Sequence, residues 1–596
     1  MKPTAPPLPD TITAPRTDAI YNCHGYLTKV PVAAIRPFID AFSAPGEVVL
    51  DLFAGSGMTG IAATMAGRRA ALSDISALGQ HIAAGYLTKV PEEAFRRAAA
   101  GAARQARAAI GDLYQTRRQS DGAATEMVRT IWSFTYRCPA CREELVYFYH
   151  VQRGSAAHGH CPHCAGPFAR RSWPTGDDVP VKVVARSTDG RLVEQAIGLA
   201  DQAAIAAAAE DIRLTEVPSF HIDASREMFS RSGLGKRGLT ETVKFFSPRN
   251  AIALLELWRA IASVSDDALR RKLRFAFTAI LPRASRRYQW SAQRPLNAQN
   301  QTYYIAPVYY EWNVFELFDR KVEAAIRSDA EIFATGSLFD HQPRADATYV
   351  IASADRLAHV ADESIDYVFT DPPFGSNIFY SDMNLFHEAW LGKMTDHSRE
   401  AVMHTTGKKR NGTAERYEAL LRGAFSEAFR VLRPGRHMSV VFGNSDGRIW
   451  HLVQRAIRDA GFRSVPVHVA ILDKGQRSVK GLNSGSESVV TVDLVLTMQK
   501  PLSASDDQPR PMHEPADAKA LIVRALADMP DGNSRNPSHV YAAVMRDAIR
   551  HHRTVDDLHL ADVLVALRNA GYGLDPKTGL LTVAPRPDIG LAAAAE

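Results

Sequence analysis

The stretch VVLDLFAGSGMTG, residues 48–60, decides the fold class of this chain. Its apolar start, which ends at Asp51, predicts a buried strand, and the run from Met58 to Ala66 predicts a helix. A second apolar stretch, AALSDI at 70–75, predicts the next strand. The turn between the first strand and the helix has the spacing G-x-G-x-x-G, in which glycine allows a tight turn and close approach to a ligand. Its glycines are Gly55, Gly57 and Gly60. This order is typical of a doubly wound α/β fold.

Two acidic residues flank the glycine loop. Asp51 ends the first predicted strand four residues before Gly55, and Asp74 ends the second strand, 17 residues after Gly57. A carboxylate at the position of Asp74 can accept hydrogen bonds from ribose hydroxyls. Asp51 suits a cationic or amine-bearing ligand better than a pyrophosphate. The glycine spacing alone leaves a nicotinamide nucleotide site as an alternative.

A second motif, Asp371-Pro372-Pro373-Phe374, directly follows an apolar predicted strand, where α/β folds place ligand crevices. An exocyclic amine of a nucleobase is a poor nucleophile because its lone pair is delocalised into the ring. A carboxylate and a proline carbonyl that accept its N–H groups favour a pyramidal nitrogen, and two prolines stiffen the loop that aims them. Phe374 offers a face on which a flipped-out base can stack. Alone, the tetrapeptide also fits an Asp-Pro turn with a packed phenylalanine.

Together the two motifs resemble those of the S-adenosylmethionine-dependent amino-methyltransferases of DNA, the adenine-N6 and cytosine-N4 enzymes. The cofactor motif of that family is D-x-F-x-G-x-G, as in residues 51–57, and its catalytic motif is D/N/S-P-P-Y/F/W. The Asp form of the catalytic motif is more typical of adenine-N6 enzymes. The stretch VIASADRLAHV, residues 350–360, is similar to the third motif of the family. The resemblance covers about residues 21–90 and 347–500.

The resemblance implies a doubly wound, Rossmann-like sheet, with S-adenosylmethionine as the cofactor and double-stranded DNA as the substrate. It implies that the catalytic residues are Asp371, Pro372, Pro373 and Phe374. It implies that the cofactor contacts Asp51, Phe53, Gly55, Gly57, Asp74 and Asp355, the last of these near the adenine. About 260 residues separate Val90 from Val350. That order is closest to the class in which a recognition domain lies between the cofactor and catalytic motifs.

Four of the five cysteines form the pattern C-x2-C-x19-C-x2-C, which is typical of a zinc ribbon. Because four thiolates close the coordination sphere, we expect a structural rather than a catalytic zinc ion. The predicted ligands are Cys138, Cys141, Cys161 and Cys164. The neighbouring His158, His160 and His163 are interpreted as bystanders. Cys23 is expected to be a buried apolar residue.

The segment 221–300 is basic, with 15 Lys and Arg against 6 Asp and Glu, a net charge of +9 compared with +6 for the whole chain. Its arginines alternate with aromatic residues, a pattern that favours nucleic acid because phosphates bind arginine and bases stack on aromatic rings. The predicted contacts are Arg283, Arg286 and Arg287. The alternative is that the aromatic residues form a helical core and the arginines a solvated face.

The composition excludes two broad classes of protein. With 46% hydrophobic and 23% charged residues, the chain has the balance of a globular protein rather than of a disordered one. It contains no apolar run long enough to span a membrane, and its first twenty residues lack the core of a signal peptide. Together with the paired cysteines, these features predict a cytoplasmic protein, associated with the nucleoid when bound to DNA.

We expect eight segments along the chain. They are a flexible arm (1–20), the first part of the methyltransferase domain with the cofactor motif (21–91), a helical connection (92–130), the zinc ribbon and associated strands (131–220), a basic, mostly helical DNA-recognition insertion (221–345), the second part of the methyltransferase domain with the catalytic motif (346–500), a linker (501–515) and a small helical C-terminal module (516–596).

The sequence therefore predicts an adenine-specific DNA methyltransferase that transfers a methyl group from S-adenosylmethionine to adenine N6 of a flipped-out nucleotide. Cytosine N4 and an RNA substrate are alternatives within this class. A nicotinamide-dependent oxidoreductase is disfavoured by Asp51 and the D-P-P-F motif. A non-enzymatic zinc-ribbon DNA-binding protein would require the catalytic loop to be inert. The target sequence, the oligomeric state and the existence of a restriction or defence-system partner stay open.

Overall fold

The structure is a computed structural model. It describes residues 8–14, 17–151, 159–291, 303–334, 346–375, 378–403, 413–464, 466–473, 490–503, 521–522, 524–525, 536–569, 571–574 and 581–583. Within these ranges the strands, numbered along the chain, are β1 (Thr11–Thr13), β2 (Val48–Asp51), β3 (Arg69–Asp74), β4 (Gln115–Arg117), β5 (Ala124–Arg137), β6 (Glu144–Val146), β7 (Thr175–Arg186), β8 (Leu192–Gln195), β9 (Val308–Trp312), β10 (Ala347–Ile351), β11 (Ile365–Thr370), β12 (Leu432–Phe442), β13 (His468–Asp473), β14 (Asp493–Gln499), β15 (Tyr572–Leu574) and β16 (Leu581–Val583).

The α-helices of the same ranges are α1 (Ala19–Cys23), α2 (Val32–Phe42), α3 (Met58–Met65), α4 (Ala77–Leu87), α5 (Glu92–Ile110), α6 (Tyr147–Val151), α7 (Leu199–Ala209), α8 (Glu227–Arg231), α9 (Pro248–Ala262), α10 (Asp267–Thr278), α11 (Leu281–Ala284), α12 (Val314–Ile332), α13 (Tyr380–Leu391), α14 (Thr413–Val431), α15 (Gly447–Asp459), α16 (Pro537–Arg550) and α17 (Leu560–Asn569). None of these helices combines the length and the hydropathy that a membrane span requires.

A mixed eight-stranded sheet carries the two motifs, and it confirms the predicted α/β class. Its strand order is β1-β13-β14-β12-β11-β2-β3-β10. The strands from β10 to β12 run parallel, and β14 pairs antiparallel with both β12 and β13. The chain moves outward from β2 to β10 on one side, then returns to β11 on the other side of β2. The carboxyl ends of β2 and β11 therefore flank the point where the strand order reverses, which is where doubly wound sheets bind ligands.

The central strands are buried on both faces, as expected for parallel strands covered by helices. All six residues of β11 are buried. Along β11, Tyr367 and Phe369 pack into one apolar cluster with α2 and α3, whereas Val368 packs into the opposite cluster with α14 and α15. Residues alternate between the faces of a strand, so the run YVF fills both layers of the core.

The residues between β3 and β10 form an insertion built around a second, antiparallel sheet of six strands, β4 to β9. Strand β9 pairs with β5 from Arg129↔Trp312 to Ser133↔Val308. The predicted boundary between segments 131–220 and 221–345 is therefore wrong, because one sheet includes strands from both. The predicted helical connection 92–130 is helical only in its first part, since β4 and the start of β5 lie within it.

Both predicted end segments pack on the central sheet where the structure describes them. Strand β1 lies at the edge of the sheet beside β13, and Ile12 is buried, so the interpretation of 1–20 as a flexible arm is wrong for these residues. Helices α16 and α17 are helical as predicted, but buried residues such as Val540 and Leu560 belong to the same apolar cluster as α14 and α15. Of the predicted linker 501–515, only residues 501–503 are described.

Candidate active site and metal centre

The glycine loop after β2 and the D-P-P-F loop after β11 lie side by side and line one cleft. The predicted site residues that line it are Asp51, Phe53, Gly55, Asp74, Asp355, Asp371 and Pro373. The other three predicted cofactor or catalytic residues, Gly57, Pro372 and Phe374, are not part of its lining. Residues from the two distant motifs are thus brought together by the neighbouring positions of their strands.

Gly57 shapes the loop rather than lining the cleft. It precedes α3 in the left-handed backbone region, with φ of +80°. A Cβ atom at this position would lie 2.5 Å from the Cβ of Ala83 on α4, so a side chain here would need α4 to move. The loop is tight because α3 and α4 pack closely beneath it.

The carboxylate of Asp74 holds the turns on both sides of the cleft. One oxygen accepts a hydrogen bond from the Gly55 N–H at 2.8 Å, and the other accepts one from the Ser76 N–H at 2.9 Å. Burial raises the pKa of this carboxyl, whereas the backbone hydrogen bonds lower it. Each carboxylate oxygen has a further lone pair that a ligand hydroxyl can use.

Asp51 joins the two motifs. Its carboxylate accepts hydrogen bonds from the Thr59 hydroxyl at 2.6 Å, the Thr370 hydroxyl at 2.9 Å and the Phe53 N–H at 3.1 Å. Burial raises the pKa of Asp51 to about 6 against the effect of these donors. Because Thr370 is followed directly by Asp371, one hydrogen bond links the residue before the glycine loop to the residue before the D-P-P-F loop.

The D-P-P-F loop is fixed from behind by α14 and by the end of β12. The Tyr417 hydroxyl donates to the Pro373 carbonyl at 2.5 Å, and the Asn444 side-chain amide donates to the Phe374 carbonyl at 3.1 Å. The Phe374 ring is half-buried and packs edge to face against Phe442, with ring centroids 5.0 Å apart. Within the described ranges no group donates a hydrogen bond to the Pro372 carbonyl.

Sequence reasoning missed a pair of tyrosines in the cleft. Tyr26 precedes α2 and Tyr380 begins α13, and their rings stack with centroids 6.2 Å apart and an interplanar angle of 23°. The hydroxyls of Thr28 and Tyr380 lie 2.6 Å apart. The sequence signal for Tyr380 was its place just after the D-P-P-F motif. Tyr26 lies in the heptapeptide GYLTKVP, residues 25–31, whose recurrence at 85–91 we interpret as coincidence.

Two neighbouring residues of opposite charge were also missed. The carboxylate of Glu400 accepts hydrogen bonds from the backbone N–H groups of Tyr380 and Ser381, at 2.5 and 3.2 Å, and so fixes the start of α13. Burial raises the pKa of Glu400 to about 7. Arg399 is exposed and lines the cleft, and its guanidinium forms no ion pair with a carboxylate of the described chain.

Two of the three arginines predicted to contact nucleic acid are used inside the protein. Arg287 is only 5% exposed, and its guanidinium lies over the rings of Tyr303 and Phe386. Arg286 forms an ion pair with Asp178. The buried Arg287 joins the insertion to α13, so for this residue the predicted nucleic-acid contact is wrong. Arg286 joins two parts of the insertion, and its contact with nucleic acid stays a prediction. Arg283, whose guanidinium lies 5.1 Å from the ring centre of Tyr288, stays a prediction.

The four paired cysteines converge on one point. All four sulfur atoms lie within 4.8 Å of one another, and the distances Cys138–Cys164 and Cys141–Cys161 are 3.7 and 3.8 Å. A tetrahedral zinc ion with Zn–S bonds of about 2.3 Å requires sulfur atoms about 3.8 Å apart, so the donor set fits zinc. Cys23 is buried, as predicted, and lies apart from this group.

The two cysteine turns have the same backbone geometry. In the first, Arg142 N–H donates to the Cys138 carbonyl at 2.9 Å; in the second, Ala165 N–H donates to the Cys161 carbonyl at 3.0 Å. Arg142 and Ala165 both adopt positive φ values, 64° and 56°. Two equivalent turns that face each other make a closed four-thiolate site, with no position left for a substrate.

Comparisons with known proteins bear on the glycine loop. Residues 12–87 match the family model described as DNA methylase. This range includes α2, the glycine loop and Asp74. Over 42 residues the chain is 50% identical to YubD of Escherichia coli (strain K12), which is provisionally named a methylase. That match covers 7% of this chain and 18% of YubD, so the chain spans less than a fifth of this relative.

Two solved structures show weaker similarity. A protein of Thermus thermophilus, provisionally titled a DNA modification methylase, is 15% identical over 33% of this chain and 72% of its own. A protein of Methanosarcina mazei, titled a SAM-dependent methyltransferase, is 14% identical over 30% and 78% of the two chains. The TM-score is 0.16 in both cases, too low to add to the description of the fold.

Proposed function

We propose that this chain is a DNA methyltransferase that uses S-adenosylmethionine and acts on an exocyclic amine, adenine N6, of a flipped-out nucleotide. The observation that carries the proposal is the single cleft lined by Asp51 and Asp74 of one motif and Asp371 of the other. The hydrogen bond from Thr370 to Asp51 couples the two motifs, and residues 12–87 match the DNA methylase family. Methyl transfer to an amine requires a pocket for the nucleoside part of the cofactor next to a rigidly held carboxylate that can orient the amine.

The residues present in the cleft fit the cofactor. Asp74 has lone pairs that would accept hydrogen bonds from the ribose hydroxyls. Asp355, which follows β10, would contact the adenine, and Asp51 with Phe53 would contact the amino-acid end. The carboxylates of this cleft suit a ligand that carries a sulfonium and an ammonium group. When bound, the cofactor supplies an activated methyl group with a good leaving group.

Asp371 and a proline carbonyl of the D-P-P-F loop are the acceptors that would orient the amine. The carbonyl of Pro373 already accepts from Tyr417, whereas that of Pro372 accepts no hydrogen bond within the described residues. With its two N–H groups held, the nitrogen directs its lone pair toward the methyl donor, and positioning supplies most of the rate. We propose that Phe374 stacks with the flipped-out base. Tyr380, which lines the cleft, offers a second aromatic ring for the same contact.

Arg399 would balance the negative charge of this cleft when DNA approaches. Among the described residues, five carboxylates line it, those of Asp51, Asp74, Asp355, Asp371 and Glu400. A nucleotide that rotates out of a duplex brings its phosphates to the mouth of the pocket. An exposed guanidinium that forms no ion pair with the described carboxylates is suited to bind such a phosphate.

The four-cysteine centre has a structural role in this proposal. A zinc ion bound by Cys138, Cys141, Cys161 and Cys164 would hold the ends of β5 and β6 against the loop around Cys161. Because all four ligands are thiolates, the site does not take part in methyl transfer.

The direct test is methyl transfer by the purified chain. Duplex DNA is incubated with S-adenosylmethionine that carries a deuterated methyl group. The DNA is then digested to nucleosides, which are separated and identified by mass spectrometry. We expect deuterated N6-methyladenine from the wild type. The Asp371→Ala variant should bind cofactor and DNA normally but lose transfer by several orders of magnitude. A matched control is Asp362→Ala, which removes a carboxylate 75% exposed on the surface and should leave the rate unchanged.

Three outcomes decide the proposal. N4-methylcytosine instead of N6-methyladenine would correct the target but keep the mechanism. Transfer by Asp371→Ala at the wild-type rate would show that the D-P-P-F loop is only a turn. An absence of transfer to any DNA of mixed sequence, with cofactor bound, would refute the proposed function.

A further inference from the structure

A cluster of two arginines and three tyrosines joins the four-cysteine ribbon to the middle of the insertion. We name it the ribbon patch; it consists of Tyr136, Tyr147, Arg170, Arg237 and Tyr304. Tyr136 and Tyr147 pack edge to face, with ring centroids 5.8 Å apart. Arg170 lies beside Tyr147 and Tyr304, and the Arg237 guanidinium is 5.9 Å from the ring centre of Tyr304. Folding thus gathers cations that are 67 residues apart in sequence.

The two arginines of the ribbon patch differ from those that the protein uses internally. Arg170 and Arg237 are exposed, and neither forms an ion pair with a carboxylate in the described part of the chain. By contrast, Arg286 is paired with Asp178, and the exposed Arg191 is paired with Asp189 at 3.1 Å. The guanidiniums of the ribbon patch are therefore available to an anion from outside.

The ribbon patch is connected to the helix that borders the cleft. Tyr303, next to Tyr304 in the chain, packs on Phe386 of α13 with ring centroids 5.0 Å apart. On the segment that carries Arg237, the guanidinium of Arg231 lies 4.7 Å from the ring centre of Phe379, the residue before α13. The segments that carry Tyr304 and Arg237 are thus packed on α13 and on the residue before it, and α13 borders the cleft.

The chemistry of this surface fits a phosphate backbone. Guanidiniums bind phosphates in a bidentate manner, and tyrosine offers both a hydroxyl and a flat face. The four-thiolate centre is closed to substrates. The role of the ribbon is therefore to hold the ribbon patch in place.

We infer that the ribbon patch contacts the backbone of DNA beside the base being methylated. This inference rests on the proposed function, and it moves the predicted nucleic-acid contact from Arg287 to Arg170 and Arg237.

The test measures the salt dependence of binding to a fluorescent DNA duplex by anisotropy, with the full chain. Each phosphate contact contributes about 0.9 to the slope of log affinity against log salt concentration. In the double variant Arg170→Gln/Arg237→Gln the slope should be less steep by about 1.8. Affinity would then fall about 12-fold less than in the wild type between about 50 and 200 mM salt. The double variant Arg170→Lys/Arg237→Lys keeps both charges and should keep most of the slope.

Two controls separate this role from a structural one. Arg191→Gln removes an arginine that is 85% exposed and already paired, and it should leave the slope unchanged. The metal content of each variant reports whether the four-cysteine ribbon is intact.

The outcomes are distinct from those of the proposed function. A wild-type slope in the Gln variant would overturn the inference, as would a change seen with an RNA duplex but not with DNA. If the wild type bound DNA without methylating it, the proposed function would fail, and the ribbon patch would still be judged by the salt slope.

Discussion

The hydrogen bond between Thr370 and Asp51 gives a quantitative prediction. Replacing Thr370 with valine keeps the shape of a fully buried side chain but removes the donor at 2.9 Å from the Asp51 carboxylate. A hydrogen bond to a charged group is worth about 1.5–3 kcal/mol, and one pKa unit corresponds to about 1.4 kcal/mol. The pKa of Asp51, raised by burial to about 6, should therefore rise by roughly 1–2 further units in Thr370→Val.

The sign of the effect follows from the proposed role of Asp51. Its ionised form attracts the cationic end of the cofactor, so affinity for S-adenosylmethionine should increase with pH through the pKa of Asp51. The midpoint should lie near pH 6 in the wild type and roughly 1–2 units higher in Thr370→Val. Near neutral pH the variant should bind up to about tenfold more weakly, and at about pH 9 the two proteins should converge.

The same shift acts on stability. The folded-state pKa of Asp51 is above its ordinary value, so its contribution is most favourable when the group is protonated and is lost as pH rises through that pKa. The variant should therefore lose more stability than the wild type between about pH 6 and 8.

Isothermal titration calorimetry of S-adenosylmethionine from about pH 5 to pH 9 measures the midpoint. Thr497→Val is a matched control, because Thr497 is also buried in the central sheet but contacts the hydroxyl of Ser439 at 2.7 Å and no carboxylate. An unchanged midpoint in Thr370→Val would refute the reasoning. It would mean either that Thr370 does not lower the pKa of Asp51 or that the ionisation of Asp51 does not affect binding of the cofactor.

Three further predictions concern the loop, the cofactor and the metal. Asp74→Ala should weaken S-adenosylmethionine binding by about 1–3 kcal/mol in calorimetry, because it removes a buried charged acceptor; unchanged affinity would place the pocket elsewhere. Gly57→Ala should lower the free energy of unfolding by the strain of positive φ, about 1–2 kcal/mol, plus about 1–3 kcal/mol for the contact with α4. Gly46→Ala, at φ of +82° with open space around it, should show the strain alone in the same denaturant titration. Cys161→Ser should release the metal as measured by elemental analysis, whereas Cys23→Ala should retain it; a wild type without zinc would contradict the site.

The sequence predicted those parts of the site that depend on local pattern and on sheet geometry. Asp51 and Asp371 could each be placed at the carboxyl end of an apolar strand, where doubly wound sheets bind ligands, and the family resemblance assigned both to one site. The cysteines could be paired because their spacing alone determines two turns. In both cases the residues that determine the local structure lie within a short stretch of the sequence.

The rest depended on contacts that no local pattern encodes. An arginine next to aromatic residues reads the same whether it faces a phosphate or, like Arg287, lies buried over Tyr303 and Phe386. The pairing of β9 with β5 joins residues about 180 positions apart, so the segments 131–220 and 221–345 could not be recognised as one unit. Tyr26 lines the cleft from a loop whose one recognisable pattern, the heptapeptide shared with residues 85–91, indicates no function.

The position of the insertion also determines the order in which the strands of the central sheet become available during synthesis. Strand β2 pairs with β3 on one side, but its neighbour on the other side, β11, pairs at Val49↔Tyr367 and is made 318 residues later. At about 5–20 residues per second this delay lasts about 15–60 s. The antiparallel sheet of the insertion has all its strands once β9 has left the ribosome. The insertion begins after β3 and ends before β10, and these two strands are neighbours in the central sheet. An insertion that folds first therefore brings the two halves of the central sheet together, and the cleft comes into existence only after most of the chain has left the ribosome.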